Sequence, residues 1–219
     1  MRALWLTGAG LALLSGPLAA QSARPPSLVL KTNVLQPLVR GYHLEAEKSW
    51  RRHPRYSLGL TAQVYRGTVT ALAVRRRLTA EELVRGYGAE LLLRHYLPGR
   101  HPEQLTGFYL AAGPHWQRFN MTFQEQGWEE VMQPGGLPLL IGTIVPYTET
   151  ITRYGAAVMA GYQGPLDLGP LTLDFYAGLG WRNSNYHSAM PDTRYRTSRL
   201  DYAAAGLYFP IGFKLGVRL

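Results

Sequence analysis

Cysteine is absent from the 219 residues of the chain, so no disulfide bond holds its fold together. Beyond residue 20, no stretch approaches the roughly 20 consecutive apolar residues that a membrane-spanning helix needs. Helical periodicity is also missing from this part of the chain. Glycine and tyrosine, in contrast, are abundant, with 24 and 14 residues. Their abundance favours strands joined by tight turns, and the absences exclude a disulfide-stapled scaffold and a helical membrane protein.

The first residues are typical of a secretory signal peptide. Arg2 precedes the apolar run LWLTGAGLALL, and the small residues of SGPLAA then suit cleavage after about Ala20. The apolar run is too short for a membrane anchor, which needs roughly 20 residues. We therefore expect residues 1–20 to be removed and residues 21–219 to form one exported domain.

Alternation of apolar and polar residues dominates the exported part. In the terminal segment GLYFPIGFKLGVRL, every second residue from Leu207 to Leu219 is large and apolar. Further segments show the same separation, and they start at Ser27, Gly41, Tyr56, Arg85, Gly107, Arg153 and Leu171. The pattern predicts an all-β fold, an antiparallel up-and-down transmembrane β-barrel of about eight strands. A further hairpin that includes TVTALAV near Thr68 would raise the number to about ten.

The links between the expected strands alternate in length. The links at SWRRHP, PGRHPEQ and GPLDLGP are short, whereas residues 67–83, 124–150 and 186–199 form longer links. Short turns on one side and long loops on the other are typical of an outer-membrane barrel, in which the short turns are periplasmic. The first external link, near QPLVR at Gln36, is short and departs from this rule.

Aromatic residues on the apolar faces favour the same topology. Trp116, Tyr154 and Trp181 should lie near the outer membrane interface, and Phe108 and Tyr162 near the inner one. The distance from Phe108 to Trp116 corresponds to about 20 Å across the membrane for a strand tilted by about 40°. We therefore predict two aromatic girdles on a surface that faces lipid.

A soluble lipocalin-like barrel or sandwich, with its apolar stripes pointing inward, is the competing interpretation. The polar faces favour the lipid-facing arrangement, because they mix glycine with tyrosine and single charges, as the crowded interior of a small barrel requires. The residues expected to line the lumen are Lys31, His43, Glu45, Glu90, Arg94, Asp174, Arg182 and Lys214. We expect opposite charges among them to pair and plug the barrel; a narrow pore gated by these pairs is the alternative.

Several motifs resemble, in order along the chain, a family of small outer-membrane barrels of Bacteroidetes that is grouped as a domain of unknown function. They are LKTNVLQPLVRGYHLEAE, GAELLLRHYL, GFYLAAGPHWQ, RYGAAVMAGYQ, DFYAGLGWR and the terminal segment. Members tend to begin with Lys-Thr-Asn, matched here by Lys31, Thr32 and Asn33. They also carry a Glu, Arg, Tyr pattern in a middle strand, matched here by Glu90, Arg94 and Tyr96. The resemblance implies an eight-stranded barrel similar to the transmembrane domains of OmpA and OmpX, and it implies no particular activity.

The charge and the location together limit the expected partners. A formal charge of +9 would suggest nucleic acid for a cytosolic chain, but export to the outer membrane makes anionic lipid and lipopolysaccharide the expected partners. We expect a monomer with a structural or surface-interaction role, exerted through the loops at residues 124–150 and 186–199. A narrow passive pore for ions or small solutes is the alternative function.

Modification of lipid A is a second alternative, and its candidate residues are His187, Ser188 and Asp192. Adjacent residues of an extended chain point to opposite faces, so we expect these three to form an ordinary polar loop. The six histidines lack the spacing of a zinc site, and no phosphate-binding glycine loop is present. No catalytic residue, metal or cofactor is therefore predicted.

Overall fold

A computed structural model describes residues 28–50, 52–69, 82–98, 105–132, 135–136, 138–167, 169–188, 195–196 and 201–219. The expected signal peptide at residues 1–20, most of the TVTALAV segment and Asp192 lie outside the described residues. The strands are β1 (Leu28–Asn33), β2 (Gly41–Trp50), β3 (His53–Thr68), β4 (Leu83–Tyr96), β5 (Gly107–Met132), β6 (Pro138–Pro165), β7 (Leu171–Ser188), β8 (Gly206–Tyr208) and β9 (Ile211–Arg218). A single 3₁₀ turn, Gln36–Val39, separates β1 from β2.

The strands close into a ring. Each strand from β1 to β7 pairs antiparallel with the next, and β9 pairs with both β7 and β1. The short strand β8 adds to β7 beyond the end of β9. The predicted all-β, antiparallel architecture is therefore confirmed, with eight strands in a ring that is not evenly barrel-shaped.

The register around the ring is staggered. Lys31 on β1 is opposite Gly216 on β9, which in turn is opposite Thr172 on β7. The row of opposite residues that starts at Lys31 and crosses β2, β3, β4, β5 and β6 instead reaches β7 at Arg182, ten residues beyond Thr172. With about 3.3 Å per residue and about 4.8 Å between strands, this stagger tilts the strands by about 41°. A row of paired residues therefore climbs from one end of the ring to the other.

The two ends of the ring differ. The end that carries the links β2–β3, β4–β5 and β6–β7 is called the short-turn end, and the opposite end the long-loop end. At the long-loop end, β5 pairs with β4 only as far as Thr122, and β6 pairs with β7 only as far as Glu149. Beyond these positions, residues 123–132 and 138–148 pair with each other alone among the described strands. We call this two-stranded extension the projecting hairpin.

The projecting hairpin corrects an expectation from the sequence. Most of residues 124–150, expected to be a long loop, continue the two strands β5 and β6. Similarly, Tyr186, His187 and Ser188 belong to β7 and not to the loop expected at residues 186–199. Apolar and polar residues do not alternate regularly in residues 124–150, and a position beyond the expected lipid-facing band favours loops. The chain therefore extends well beyond the ring as ordered sheet.

Both prolines inside the expected strands interrupt the ladder without a change of register. Pro114 pairs with Ala156 of β6, while the pairing of β5 with β4 is missing between Glu90–His115 and Leu93–Ala112. Pro210 separates β8 from β9, and its carbonyl still accepts the amide of Gly178 at 2.8 Å. Proline has no amide hydrogen to donate, which explains both gaps.

Apolar side chains lie outside the ring and charged side chains inside it. On the outer surface, Phe108 and Ile211 are 65% and 78% exposed. On the inner surface, Lys31 and Arg94 are each only 1% exposed. Two buried apolar clusters lie at the ends of the interior, one around Leu92, Tyr96 and Tyr109 and the other around Phe119, Tyr195 and Tyr202. The usual distribution of a soluble protein is thus reversed around most of the ring.

Candidate functional site in the lumen

Alternation along five strands aims a set of charged side chains into the ring. Lys31 on β1, Glu45 and Glu47 on β2, Arg94 on β4, Asp174 on β7 and Lys214 on β9 are all buried. Successive residues of a strand point to opposite sides, and each of these residues is on the side that faces the inside of the ring. They meet in the half of the ring that lies toward the short turns, and we call them the ion network.

The ion network is held by short contacts between strands that are distant in sequence. Lys31 Nζ lies 2.7 Å from Asp174 Oδ2 and 2.5 Å from Glu47 Oε2. Arg94 Nη1 lies 2.7 Å from Glu45 Oε1 and 2.5 Å from Glu47 Oε2. Lys214 Nζ lies 2.5 Å from Glu45 Oε2. These contacts cross the lumen and link β1, β2, β4, β7 and β9.

Neutral side chains make further hydrogen bonds with the charged groups of the ion network. Tyr96 donates its hydroxyl to Glu47 Oε1 at 2.8 Å, and Tyr109 donates to Asp174 Oδ1 at 2.5 Å. Ser57 also donates to Glu47, and Lys31 donates to the side-chain oxygen of Gln163. Buried charges are tolerated when they are both paired and hydrogen-bonded. The carboxylates of Glu47 and Asp174 satisfy both conditions.

The six charges of the ion network sum to zero. Three cations, Lys31, Arg94 and Lys214, face three carboxylates, Glu45, Glu47 and Asp174, and the side chains are 6% exposed or less. A balanced, buried set of charges fills its section of the lumen with side chains. The contacts within this set fix the relative positions of five strands.

The structure brings together five of the residues that the sequence predicts in the lumen: Lys31, Glu45, Arg94, Asp174 and Lys214. Glu47 is not among the predicted residues, although it lies on the same face of β2 as Glu45 and contacts both Lys31 and Arg94. The alternation itself was the available signal. The structure does not bring Glu90 or Arg182 into the ion network.

Glu90 and Arg182 instead line a cavity of about 290 Å³ between the ion network and the long-loop end. Its polar lining includes His43, Gln63, Tyr65, Glu90, His115, Gln117, Arg153, Tyr176, Arg182, Tyr202, Tyr208 and Lys214. His43 Nε2 lies 3.0 Å from the Tyr65 hydroxyl, and His115 Nδ1 lies 3.2 Å from that of Tyr208. We call this space the upper cavity.

Two aromatic residues from the chain after β7 are buried, and one of them, Tyr202, lines the upper cavity. Tyr202 is buried, and its ring centre lies 5.0 Å from that of Phe119 on β5. Its hydroxyl donates to the Val39 carbonyl at 3.4 Å, and burial raises the pKa of Tyr202 to about 12, so it keeps the proton it donates. Tyr195 packs edge-on against Phe123 and donates to Glu82 Oε2 at 2.9 Å. These contacts hold Tyr195 and Tyr202 against β5.

The five residues expected in the aromatic girdles are all exposed on the outer face: Phe108, Trp116, Tyr154, Tyr162 and Trp181. Phe108 is opposite Tyr162, and Trp116 is opposite Tyr154, in the β5–β6 ladder. The first pair lies toward the short-turn end and the second toward the long-loop end, together with Trp181. Their role at a membrane interface stays a prediction.

Of the candidate residues for lipid modification, His187 and Ser188 are described and Asp192 is not. His187 and Ser188 are consecutive in β7, where they pair with Thr150 and Glu149 of β6. Consecutive strand residues point to opposite faces. Among the described residues, no group of three or more His, Asp or Glu side chains is arranged to hold a metal ion. Within the same residues, no helix is long and apolar enough to cross a membrane.

A scan of the chain against protein-family models found no match. A search of the curated proteins also found none. Membership of the small Bacteroidetes barrel family therefore stays a prediction that rests on the sequence motifs alone.

Proposed function

We propose that the protein is an integral β-barrel of the outer membrane, plugged by its ion network and exposing the projecting hairpin to partners at the cell surface. The observation that carries the proposal is the reversed distribution of side chains, with apolar residues outside and paired charges inside. Such a surface is stable in lipid, where a closed ring also pairs most of the backbone groups of its strands with one another.

A soluble barrel is a poor explanation of the same observation. Monomeric soluble proteins rarely expose contiguous apolar patches larger than a few hundred Å². Here the exposed apolar residues extend around the ring, from Leu44 on β2 through Leu60, Leu91, Val158 and Leu179 to Leu215 on β9. Lipid is the environment that removes the cost of this exposure.

The ion network supports a structural role over a pore. Side chains that are 6% exposed or less occupy the section of the lumen through which solute would have to pass. Eight-stranded barrels are generally just wide enough for side chains to fill. A role in binding partners at the ends of the barrel is therefore better supported than a role in passing solutes through its lumen.

The projecting hairpin is the element best suited to contact a partner. Its residues, 123–132 and 138–148, include three Glu residues and no Lys or Arg, in a chain whose formal charge is +9. Trp128 and Ile144 on its outer face are 71% and 69% exposed. Both of its long edges lack a ladder partner among the described strands, and such edges pair readily with an added strand. We infer a partner that adds a strand and carries basic residues.

Gel mobility of the mature protein from outer-membrane fractions, heated and unheated in detergent, tests the membrane barrel. A closed barrel in detergent resists unfolding until it is heated, because it has no free edge to unzip. A heat-dependent shift in that fraction is expected. Recovery from the soluble periplasm without a shift would overturn the proposal.

The orientation of the barrel can be tested by labelling, because the chain has no cysteine of its own. Gln126→Cys places a thiol on the projecting hairpin, and Asp167→Cys places one in the β6–β7 turn at the short-turn end; both positions are exposed. A membrane-impermeant maleimide is expected to label the first in intact cells and the second only after permeabilisation. The reverse result would place the hairpin in the periplasm and exclude a surface role.

A further inference from the structure

A groove on the outer face of the ring lies beside the β2–β3 turn. Its volume is about 690 Å³, and its lining includes Ala46, Lys48, Trp50, Arg52, Leu58 and Leu60. Ala46 forms the floor, because the larger residues Leu30 and Leu60 are opposite it on the two neighbouring strands. We call this space the turn groove.

Two cations border the turn groove without a partner in the described part of the chain. Lys48 and Arg52 are both exposed. Neither forms an ion pair or a side-chain hydrogen bond with a described residue. The carboxylate next to Lys48 in the sequence, that of Glu47, points to the opposite face of β2, where it contacts Lys31 and Arg94. The turn groove therefore combines an apolar floor with two positive charges that no described carboxylate neutralises.

The stagger of the ring places Lys48 at the level of the aromatic residues near the short-turn end. The row of opposite residues that starts at Lys48 reaches β5 at Ala112. Over these three strand steps the row rises toward the long-loop end by about 9 Å, for strands about 4.8 Å apart and tilted by about 41°. Phe108 precedes Ala112 by four residues of β5, which lowers it by about 10 Å. Lys48 and Phe108 therefore lie at about the same height, and Leu58 and Leu60 lie further toward the long-loop end.

We propose that the turn groove binds a phospholipid with an anionic headgroup, with its phosphate between Lys48 and Arg52 and one acyl chain along Leu58 and Leu60. The ammonium of Lys attracts a phosphate as a point charge, and the guanidinium of Arg donates to two of its oxygens. Basic residues at a membrane surface attract anionic headgroups in this way. The inference rests on the proposed outer-membrane barrel, in which the short-turn end faces the periplasm.

Trp50 supports the same assignment. Its side chain is 57% exposed on the lining of the turn groove, between the two cations in sequence. An indole ring has an apolar body and one N–H donor, so it suits the boundary between acyl chains and headgroups. Trp50 would therefore contact the lipid where its chain meets its headgroup.

Native mass spectrometry of the purified mature protein in a neutral detergent tests the site. The probe is phosphatidylglycerol, and phosphatidylcholine with the same acyl chains is the reference. The charge variants are Lys48→Gln and Arg52→Gln. Their matched control is Arg66→Gln, which removes an exposed arginine from the outward face of β3 at the long-loop end.

An uncharged variant tests the place of the acyl chain. Ala46→Phe fills the floor of the turn groove and leaves both cations in place. We expect it to weaken the binding of phosphatidylglycerol, because the chain loses its contact surface. Undiminished binding to this variant would contradict a chain in the groove.

One phosphatidylglycerol per chain is expected to bind at least about tenfold more tightly than phosphatidylcholine. Its affinity should be about fivefold weaker in each charge variant and unchanged in Arg66→Gln. Equal affinity for the two lipids, or equal weakening in Arg66→Gln, would overturn the site.

Lipopolysaccharide also carries phosphate and acyl chains, so lipid A serves as a third probe. Tighter binding of lipid A than of phosphatidylglycerol would overturn a phospholipid site. The heat-dependent gel shift of the same samples reports the barrel separately. Failure of the site with an intact shift is thus distinguishable from failure of the membrane proposal.

Discussion

At the scale of single residues, Arg94 is the most consequential member of the ion network. Arg94→Met would leave Glu45 and Glu47 buried with one cation fewer each, because Arg94 contacts both. Removing one partner of a buried pair costs about 3–5 kcal/mol. We expect the free energy of unfolding in lipid vesicles, measured by urea titration, to fall by about that amount.

Arg85→Met is the control for this prediction. Arg85 lies on the same strand as Arg94 but on its exposed face. A surface substitution of this kind changes stability by no more than about 0.5 kcal/mol. Equal effects of the two substitutions would contradict a stabilising role of the ion network.

The sequence predicts which side chains point into the lumen, but it does not predict which of them form ion pairs. Alternation indicates that Lys31 and Arg94 point inward, but only the stagger of the ring decides that both reach Glu47. The same limit applies to Arg182, which has inward parity and yet lies beside Tyr208 in the upper cavity. A stagger of ten residues leaves no signature in a single strand.

At the scale of strands, close approach of β4 and β5 depends on Gly113. A Cβ added there would lie 1.8 Å from the Leu91 carbonyl oxygen, so the backbone of β4 would have to move. Gly113→Ala should reduce the free energy of unfolding by about 1–3 kcal/mol, the usual cost of overpacking. The midpoint temperature of the heat-dependent gel shift should fall accordingly.

Gly142→Ala is the matched control, because a Cβ at that position makes only ordinary contacts, the nearest at 3.6 Å. It lies in the projecting hairpin, away from the ring. A fall in midpoint temperature as large as that of Gly113→Ala would show that the contact with Leu91 is not the cause.

The projecting hairpin should be dispensable for closure of the ring. Residues 126–144 can be replaced by Asn-Gly, which forms a tight turn between the paired residues Glu125 and Val145. Pairing with β4 and β7 is untouched, since it ends at Thr122 and Glu149. We expect the shortened protein to keep its heat-dependent gel shift and its midpoint temperature.

Loss of the gel shift in the shortened protein would mean that the hairpin helps to close the ring. Residues 124–150 are not recognisable as strands from the sequence, because a barrel topology predicts loops beyond the membrane. Four Glu residues and several Pro and Gly residues there favour a loop by composition. Pairing of the two long strands with each other overrides that local preference.

At the scale of the whole molecule, the ion network predicts that the barrel does not conduct ions. We expect no conductance steps when the purified protein is reconstituted in planar bilayers, since buried side chains fill the lumen. Steps that disappear on changing Arg94 or Arg182 would instead support the pore.

The overall architecture was the most predictable property of the chain. Alternation with a period of two survives in every strand of the ring, and the antiparallel order follows from sequential strands joined by turns. The division of the last strand at Pro210 was harder to predict, because the alternation continues across the proline while β8 pairs with β7 alone among the described strands.

Closure by β1 and β9 has a consequence for how the protein matures. The contact between Lys31 and Gly216 joins positions separated by 185 residues of chain. Contacts of such long range form slowly, because the entropy of closing the loop must be overcome before they contribute. Until then, the first and last strands each present an open edge to any neighbouring copy. Newly made chains are therefore most vulnerable before β1 meets β9, and interlocked dimers are the expected by-product when this closure is delayed.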